Sequence, residues 1–268
     1  MMKIASFALA AVLGLVSTAY ARDDGFDIPK TVDLPMPHFD GRDIDIVGVK
    51  PGQPGDEAVS ILKARFPKED ISFHNTDIGT DQVHSQTFNT FYTVGGDISE
   101  KMQLFLSSPS AGSQVIGAMR DKYFPKADGQ PTMDTIMTEL TKKYGKPDRD
   151  IIQGNSPWRT VSWYIGGDGK CAKQWFCEWP YYDHNYSHHA AEYNPAYLKE
   201  YEKDMEVGTD YVVTAEIRPE DPDMSRVSSL TVSFVDLKRR GLSAREDFNL
   251  VMSKQAEFDK KPVAAPEL

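Results

Sequence analysis

Chemistry-bearing residues are scarce in this chain: two cysteines and six histidines are all that 268 residues contain. The short catalytic signatures are missing as well, with no G-x-S-x-G elbow, no P-loop and no dinucleotide fingerprint. Those absences argue against an α/β-hydrolase, a P-loop nucleotidase and a Rossmann oxidoreductase. A cationic surplus is also lacking, since 30 Lys and Arg face 40 Asp and Glu for a formal charge of -10. Phosphate affinity comes from neutralising Lys and Arg, so no nucleic-acid partner is expected. Lys142-Lys143 and Lys238-Arg239-Arg240 are too short to change this and are read as solvated helix or strand ends. Cys171 and Cys177 are spaced C-x5-C, which is not the C-x-x-C of a redox motif. Carboxylates are plentiful, so a glycosidase pair is excluded only by geometry.

Long apolar runs are likewise absent, except at the start. The sequence MMKIASFALAAVLGLVSTAYA carries Lys3, an apolar run over 4–16 and the small-residue pattern Ala19-Tyr20-Ala21, which predicts a signal peptide over 1–21. The run is shorter than the roughly 20 residues of a spanning helix. No cysteine follows the cleavage point, which disfavours a lipoprotein. A soluble mature chain of formal charge -11, periplasmic or secreted and bacterial in the look of its signal, is expected. Its length suffices for one large or two small domains without help from disulfides.

Residues 22–42 are acidic and proline-bearing and read as an extended leader. A short strand over 43–47 precedes Gly52-Gln53-Pro54, after which Val59, Leu62 and Phe66 form a helical stripe that Pro67 ends. The pattern returns at Gly129-Gln130-Pro131, with Met133, Ile136, Met137, Leu140 and Tyr144 on one face and Gly145 and Pro147 as terminators. An offset of 78 superposes Leu62 on Leu140 and Phe66 on Tyr144, with the GQP triplets one residue out of register. Strand-like runs follow each helix, at 87–94, 102–107 and 114–123, then at 160–165, 211–217 and 227–235. Val115 matches Val227 at an offset of 112, which places 34 additional residues between the second helix and its final hairpin. The expected fold is α+β: two tandem helix-plus-antiparallel-sheet units, 43–128 and 129–240, the second with an insert at about 167–208. A C-terminal helix and tail over 241–268 completes it, with Ser243 and Glu246 as a capping box and Phe248, Val251 and Met252 as its apolar face.

A strand, a Gly-x-Pro turn, a short helix and an antiparallel sheet, in tandem after a signal peptide, resemble the beta-lactamase-inhibitor-protein-like fold. The envelope-assembly lipoproteins of the SmpA/OmlA type share the helix-start pattern, usually Gly-Met-Ser/Thr. Here proline stands where those proteins have a capping hydroxyl, and the lipobox cysteine is absent. The resemblance spans about 43–236 and implies a non-catalytic protein that binds another protein across an aromatic-rich sheet.

What the chain does contain is concentrated: all four tryptophans, both cysteines and three histidines fall within 158–189. Trp158 and Trp163 read as scaffold strand residues. In an oxidising compartment Cys171 and Cys177 would pair, which makes the segment a stapled loop. Trp175, Phe176, Trp179, Tyr181 and Tyr182 are then the candidate contact residues, large rings that dominate binding hot spots. Packing of Trp175, Phe176 and Trp179 into a satellite core is the competing reading. Were 184–192 helical, His184, His188 and Glu192 could face one zinc or other divalent transition metal, with His38, His74 and His84 as spatial candidates. The position after His184 is Asn185, so the metalloprotease signature is not met. Asn194, Pro195 and the spacing of Tyr197, Leu198, Tyr201 and Met205 predict a helix ended by Gly208. Three functions stand: a non-enzymatic binding protein with a partner in the cell envelope, a metal-binding protein or metal-dependent hydrolase, and a structural envelope component.

Overall fold

A computed structural model describes residues 25–35, 39, 42–80, 82–95, 99–126, 129–152, 158–166, 208–220 and 225–260. The chain is mixed α+β, and its described residues form one antiparallel sheet of eight strands and three α-helices. Helix α1 (Gly55–Arg65) precedes β1 (Ser72–Thr76), β2 (Phe88–Val94), β3 (Glu100–Leu106) and β4 (Val115–Tyr123). Helix α2 (Met133–Tyr144) precedes β5 (Arg149–Ile152), β6 (Arg159–Ile165), β7 (Tyr211–Pro219) and β8 (Val227–Asp236), and α3 (Leu237–Asp259) ends the described chain. The strand order is β1-β2-β3-β4-β8-β7-β6-β5, so two four-stranded meanders join through their last strands. At that seam Arg120 stands directly opposite Val232.

The two helices start in the same way. The amide of Gly55 donates to Ser113 O at 3.0 Å and that of Met133 to Ser225 O at 3.0 Å. Val115 N–H reaches Gln53 O at 2.9 Å, and Val227 N–H reaches Pro131 O at 2.9 Å. Isolated bridges pair Pro54 with Gln114 and Thr132 with Arg226. The starts differ in capping, because Pro54 offers no side-chain acceptor, whereas the Thr132 hydroxyl accepts the Thr135 amide at 3.1 Å. The second helix therefore does have a capping hydroxyl, supplied one residue after its GQP triplet. Gly55 is required where it stands, since a Cβ there would lie 2.6 Å from both Leu106 and Ser113 O.

The helix-bearing side of the sheet carries the core. Ala58 and Leu62 of α1 and Ile136, Leu140 and Tyr144 of α2 join Leu104, Ala118, Val161, Trp163, Val213 and Phe234 in one buried cluster. Strand alternation puts those sheet residues on a single face. Trp163 is completely buried, its Nε1 donating to Gly145 O at 2.9 Å and its ring 5.2 Å from that of Tyr144. Trp158 lies just before β6 with the Arg218 guanidinium 4.0 Å from its ring.

Three expectations are corrected. Residues 43–47 are no strand: Ile46 and Val49 exchange backbone hydrogen bonds of 2.9 and 3.0 Å around a two-residue turn. The third helix starts at Leu237, capped by Asp236, whose Oδ1 accepts the Arg239 amide at 2.8 Å. Ser243 is thus interior to the helix and makes no capping box. Arg239 and Arg240 are not solvated but buried, at 1% and 5% exposure. Arg239 is held by Asp236 at 3.1 Å, by the Gln114 amide oxygen and by Pro35 O at 3.2 Å. One turn on, the Ser243 hydroxyl meets those of Ser108 at 3.1 Å and Ser110 at 3.3 Å, and Asp247 accepts from Ser108 at 2.8 Å. The docked face of α3 is therefore a polar stripe at fourfold spacing, ending at buried Val251.

Candidate functional site

Every aromatic, thiol and metal-ligand candidate of the insert lies outside the described residues: Trp175, Phe176, Trp179, Tyr181, Tyr182, Cys171, Cys177, His184, His188 and Glu192. His38 does as well. His74 is exposed on β1, and His84 sits 3.3 Å from Asp77 in the loop before β2. Among the described residues no group of three or more His, Cys, Asp or Glu could hold a metal ion. No described helix is long and apolar enough to cross a membrane.

The strands that flank residues 166–210 are among the described residues. Strands β6 and β7 are antiparallel neighbours whose last register pair is Ile165 with Tyr211, and Asp210 N–H donates to Ile165 O at 3.1 Å. Residues 166–210 close this hairpin, where about two to five residues ordinarily suffice. Gly166 turns the chain out of β6 with φ 77°, and a Cβ there would meet the Asp210 carboxylate at 2.7 Å. Tyr211 packs edge-on against Phe39 at 5.0 Å, and burial, with Asp236 and Asp210 nearby, raises its phenol pKa.

On the helix-bearing side, a cleft of about 570 Å³ opens between α2, the 43–49 turn and the β4–β8 seam. Its floor is the pair Arg120 and Val232, extended by the neighbouring pair Lys122 and Leu230. Ile136 and Leu140 of α2 make one wall, Ile46 and Val47 the other. Val47 has φ 56° and Gly48 φ 89°, the left-handed pair of a type I′ turn. For a β-branched residue that conformation costs about 1–2 kcal/mol.

The turn is pinned to the end of α2. Asp45 accepts the Gly48 amide at 2.6 Å and the Lys143 ammonium at 2.8 Å, while Tyr144 OH donates to Asp45 O at 3.1 Å. Burial opposes ionisation of Asp45, but Lys143 and the Gly48 amide outweigh it and hold the carboxyl below its ordinary range. Burial first, then Asp45 and Asp43, push the Tyr144 phenol up.

Arg120 is the one cation set among apolar neighbours on this part of the floor, between Met102 of β3 and Val232 of β8. Its Nε donates to Glu100 at 2.8 Å, and Arg65 puts two further contacts of 3.1 Å on the same carboxylate. Despite burial, the two guanidinium groups hold Glu100 below the usual carboxylate range. No described hydrogen bond uses the terminal nitrogens of Arg120, and Lys122 stands opposite the same Glu100 in the β3–β4 register with its ammonium 5.9 Å from the Phe124 ring. Glu139 is the only acid of the cleft without a described cationic partner, so the cleft carries a positive surplus on an acidic protein.

The opposite face of the sheet carries a polar row beside an apolar one that includes Val235, Val212 and Tyr164. Gln103, Ser233, Thr214 and Ser162 follow one another along a single register row, with Met119 between the first two, and all four are buried. Gln103 Oε1, Ser162 Oγ and Thr214 Oγ1 lack a hydrogen-bond partner among the described residues.

Nothing among family models, curated proteins or solved structures matches this chain. The functional reading therefore stands on geometry and chemistry alone. Sequence reasoning missed the cleft, although a signal was there: Arg120 and Lys122 interrupt the alternation of β4 at positions that in a plain core strand would be apolar.

Proposed function

We propose that this is an exported, soluble, non-enzymatic protein that binds a protein partner in the cell envelope through its aromatic insert. The carrying observation is the β6–β7 connection: a hydrogen-bonded root, Ile165 paired with Tyr211, joined by residues 166–210. Connections longer than about 12–15 residues are uncommon in compact domains, where they serve as binding or linker segments, and the aromatic content of this one favours binding. Trp175, Phe176, Trp179, Tyr181 and Tyr182 supply the contact area, and a Cys171–Cys177 disulfide staples the segment. The scaffold is two α+β units in tandem, a reading supported by the equal contacts at both helix starts. A repeat of this kind offers a stiff sheet from which an insert is displayed.

The test is a photo-crosslinker placed at Tyr181 of the full chain in the native envelope. One discrete adduct is expected, lost when Trp175→Ala and Trp179→Ala are combined while the circular dichroism spectrum is unchanged. Retention of the same adduct in the double variant would overturn the contact surface. Export is read from the recovered protein's N-terminal residue, Arg22 being expected, and the disulfide from alkylation under non-reducing conditions.

A further inference from the structure

We propose that the cleft over the β4–β8 seam is a second binding site, for a small amphipathic anion: a single carboxylate on an unbranched acyl chain. This goes beyond the insert's role and does not depend on it. The shape is right in size, about 570 Å³ within the roughly 300–1,000 Å³ of small-molecule sites.

Cationic and aliphatic groups alternate across the floor, Arg120 opposite Val232 and Lys122 opposite Leu230, beside Ile136 and Leu140 of α2. At the head, a guanidinium on the helix-covered side of a sheet is costly unless it is paired. Glu100 supplies that pairing only in part, because it is shared between Arg65 and Arg120. Two cations on one carboxylate leave a charge uncompensated, and Lys122 adds another two residues along the same face. The planar fork of an arginine accepts a carboxylate with two parallel hydrogen bonds, which a lysine cannot do. For the tail, Ile136 and Leu140 of α2 with Leu230 and Val232 of the floor offer aliphatic contacts, and Asp43, Asp45 and Glu139 line the same cleft. An acyl chain is the apolar body such walls fit, since it needs no partner for polar atoms. A cationic amphiphile would meet Arg120 and Lys122 head on, and a neutral alcohol would offer the fork one uncharged acceptor in place of two charged ones.

Val47 is the independent sign. A valine is kept left-handed at the cleft wall by the Asp45–Gly48 hydrogen bond and the Asp45–Lys143 ion pair. Asn or Gly would take this turn without strain. Strain of this sort persists where the surroundings impose it, and it gathers at ligand sites. Here its product is an aliphatic side chain in the wall.

The experiment is calorimetric titration of the full mature chain with decanoate below its micellar concentration. Decanol, acetate and decyltrimethylammonium are titrated in parallel. Saturable one-to-one binding of decanoate is expected, with decanol weaker by about tenfold and no binding of acetate or the cation. Arg120→Met should weaken decanoate about tenfold, and Arg120→Lys should recover part of the loss. Should Arg120→Met fail to fold, Lys122→Glu and the cleft-filling Leu230→Trp decide instead, both expected to reduce decanoate affinity. The Trp175→Ala, Trp179→Ala double variant should bind decanoate as the parent does, so failure of the insert's role and failure of the cleft's are read separately. Absence of saturable decanoate binding, equal binding of the cation, or parental affinity in the cleft variants would overturn the proposal.

Discussion

The two meanders of the sheet share a plan and part company at one connection. Between β2 and β3 the chain turns through residues 95–99, while between β6 and β7 it runs through residues 166–210. Both turns leave the strand by a glycine of positive φ, Gly95 at 117° and Gly166 at 77°. Closing the longer loop is cheap by comparison with its length. Loop-closure entropy rises by about 0.6 kcal/mol per doubling, so roughly three doublings cost about 2 kcal/mol. A hairpin tip is thus a place where a scaffold can acquire a large functional segment and keep its register. The core answers the difference: Trp163, near the end of β6, is completely buried, whereas Tyr92, at the corresponding place in β2, is half-buried.

That contrast is broken or sharpened most strongly at these two rings. Trp163→Ala removes a fully buried indole and its bond to Gly145, and should cost about 3–5 kcal/mol in urea unfolding. Tyr92→Ala should cost clearly less. Equal losses would mean that the two halves are packed alike.

The next effect concerns the strand ends at the seam. After β4 comes Phe124, while at the corresponding place in β8 stands Asp236, whose pKa burial pushes up to about 6 although Arg239 opposes it. A raised pKa means that the folded chain holds the proton longer than the unfolded one. This carboxyl therefore favours the fold fully below its ordinary value of 3.8, and the contribution is lost as pH rises through about 6. Glu100 and Asp45 act in the opposite sense, with stability lost as pH falls through their lowered values. Asp236→Asn should flatten the stability profile between pH 4 and 6 and leave the acid limb below it intact. An unchanged slope between those pH values would remove Asp236 from the account.

Smaller effects test the helix starts. Thr132→Ala should destabilise by about 1 kcal/mol, and Pro54→Thr, which gives α1 the hydroxyl that α2 has, should stabilise by about 0.5–1 kcal/mol. Smallest is Val47→Asn, expected to raise stability by about 0.5 kcal/mol as strain is relieved against lost packing. If the melting temperature falls instead, the left-handed valine is held by packing rather than imposed on the turn.

Much of the scaffold was legible in local pattern. The β-branched and aromatic runs Arg159–Ile165, Tyr211–Pro219 and Val227–Asp236 mark strands, the first two buried on both faces, and the spacing of Leu62, Ile136 and Leu140 marks helices that bury one. Strands β1 and β5 were not legible. Ser72–Thr76 is almost wholly exposed and Arg149–Ile152 is four residues long, so as edge strands they carry little apolar alternation. The start of α3 was misread because Gly241 and the run Lys238-Arg239-Arg240 look like a helix end. Only partners more than a hundred residues away, Gln114, Ser108 and Ser110, turn that stripe into a buried face. The cleft was hidden for the same reason, since Arg120 is a floor residue only once β4 pairs with β8.

By itself the sequence determined the periodicities, the GQP triplet before each of two helices and the length of the β6–β7 connection, because these follow from spacing along the chain. Tertiary structure decided which strands meet at the seam, that Asp45 and Lys143 pin a strained turn to α2, and that two arginines share one carboxylate beside a cleft of mixed aliphatic and charged lining. Such features depend on register between distant segments. A one-residue slip would send Arg120 to the other face of the sheet.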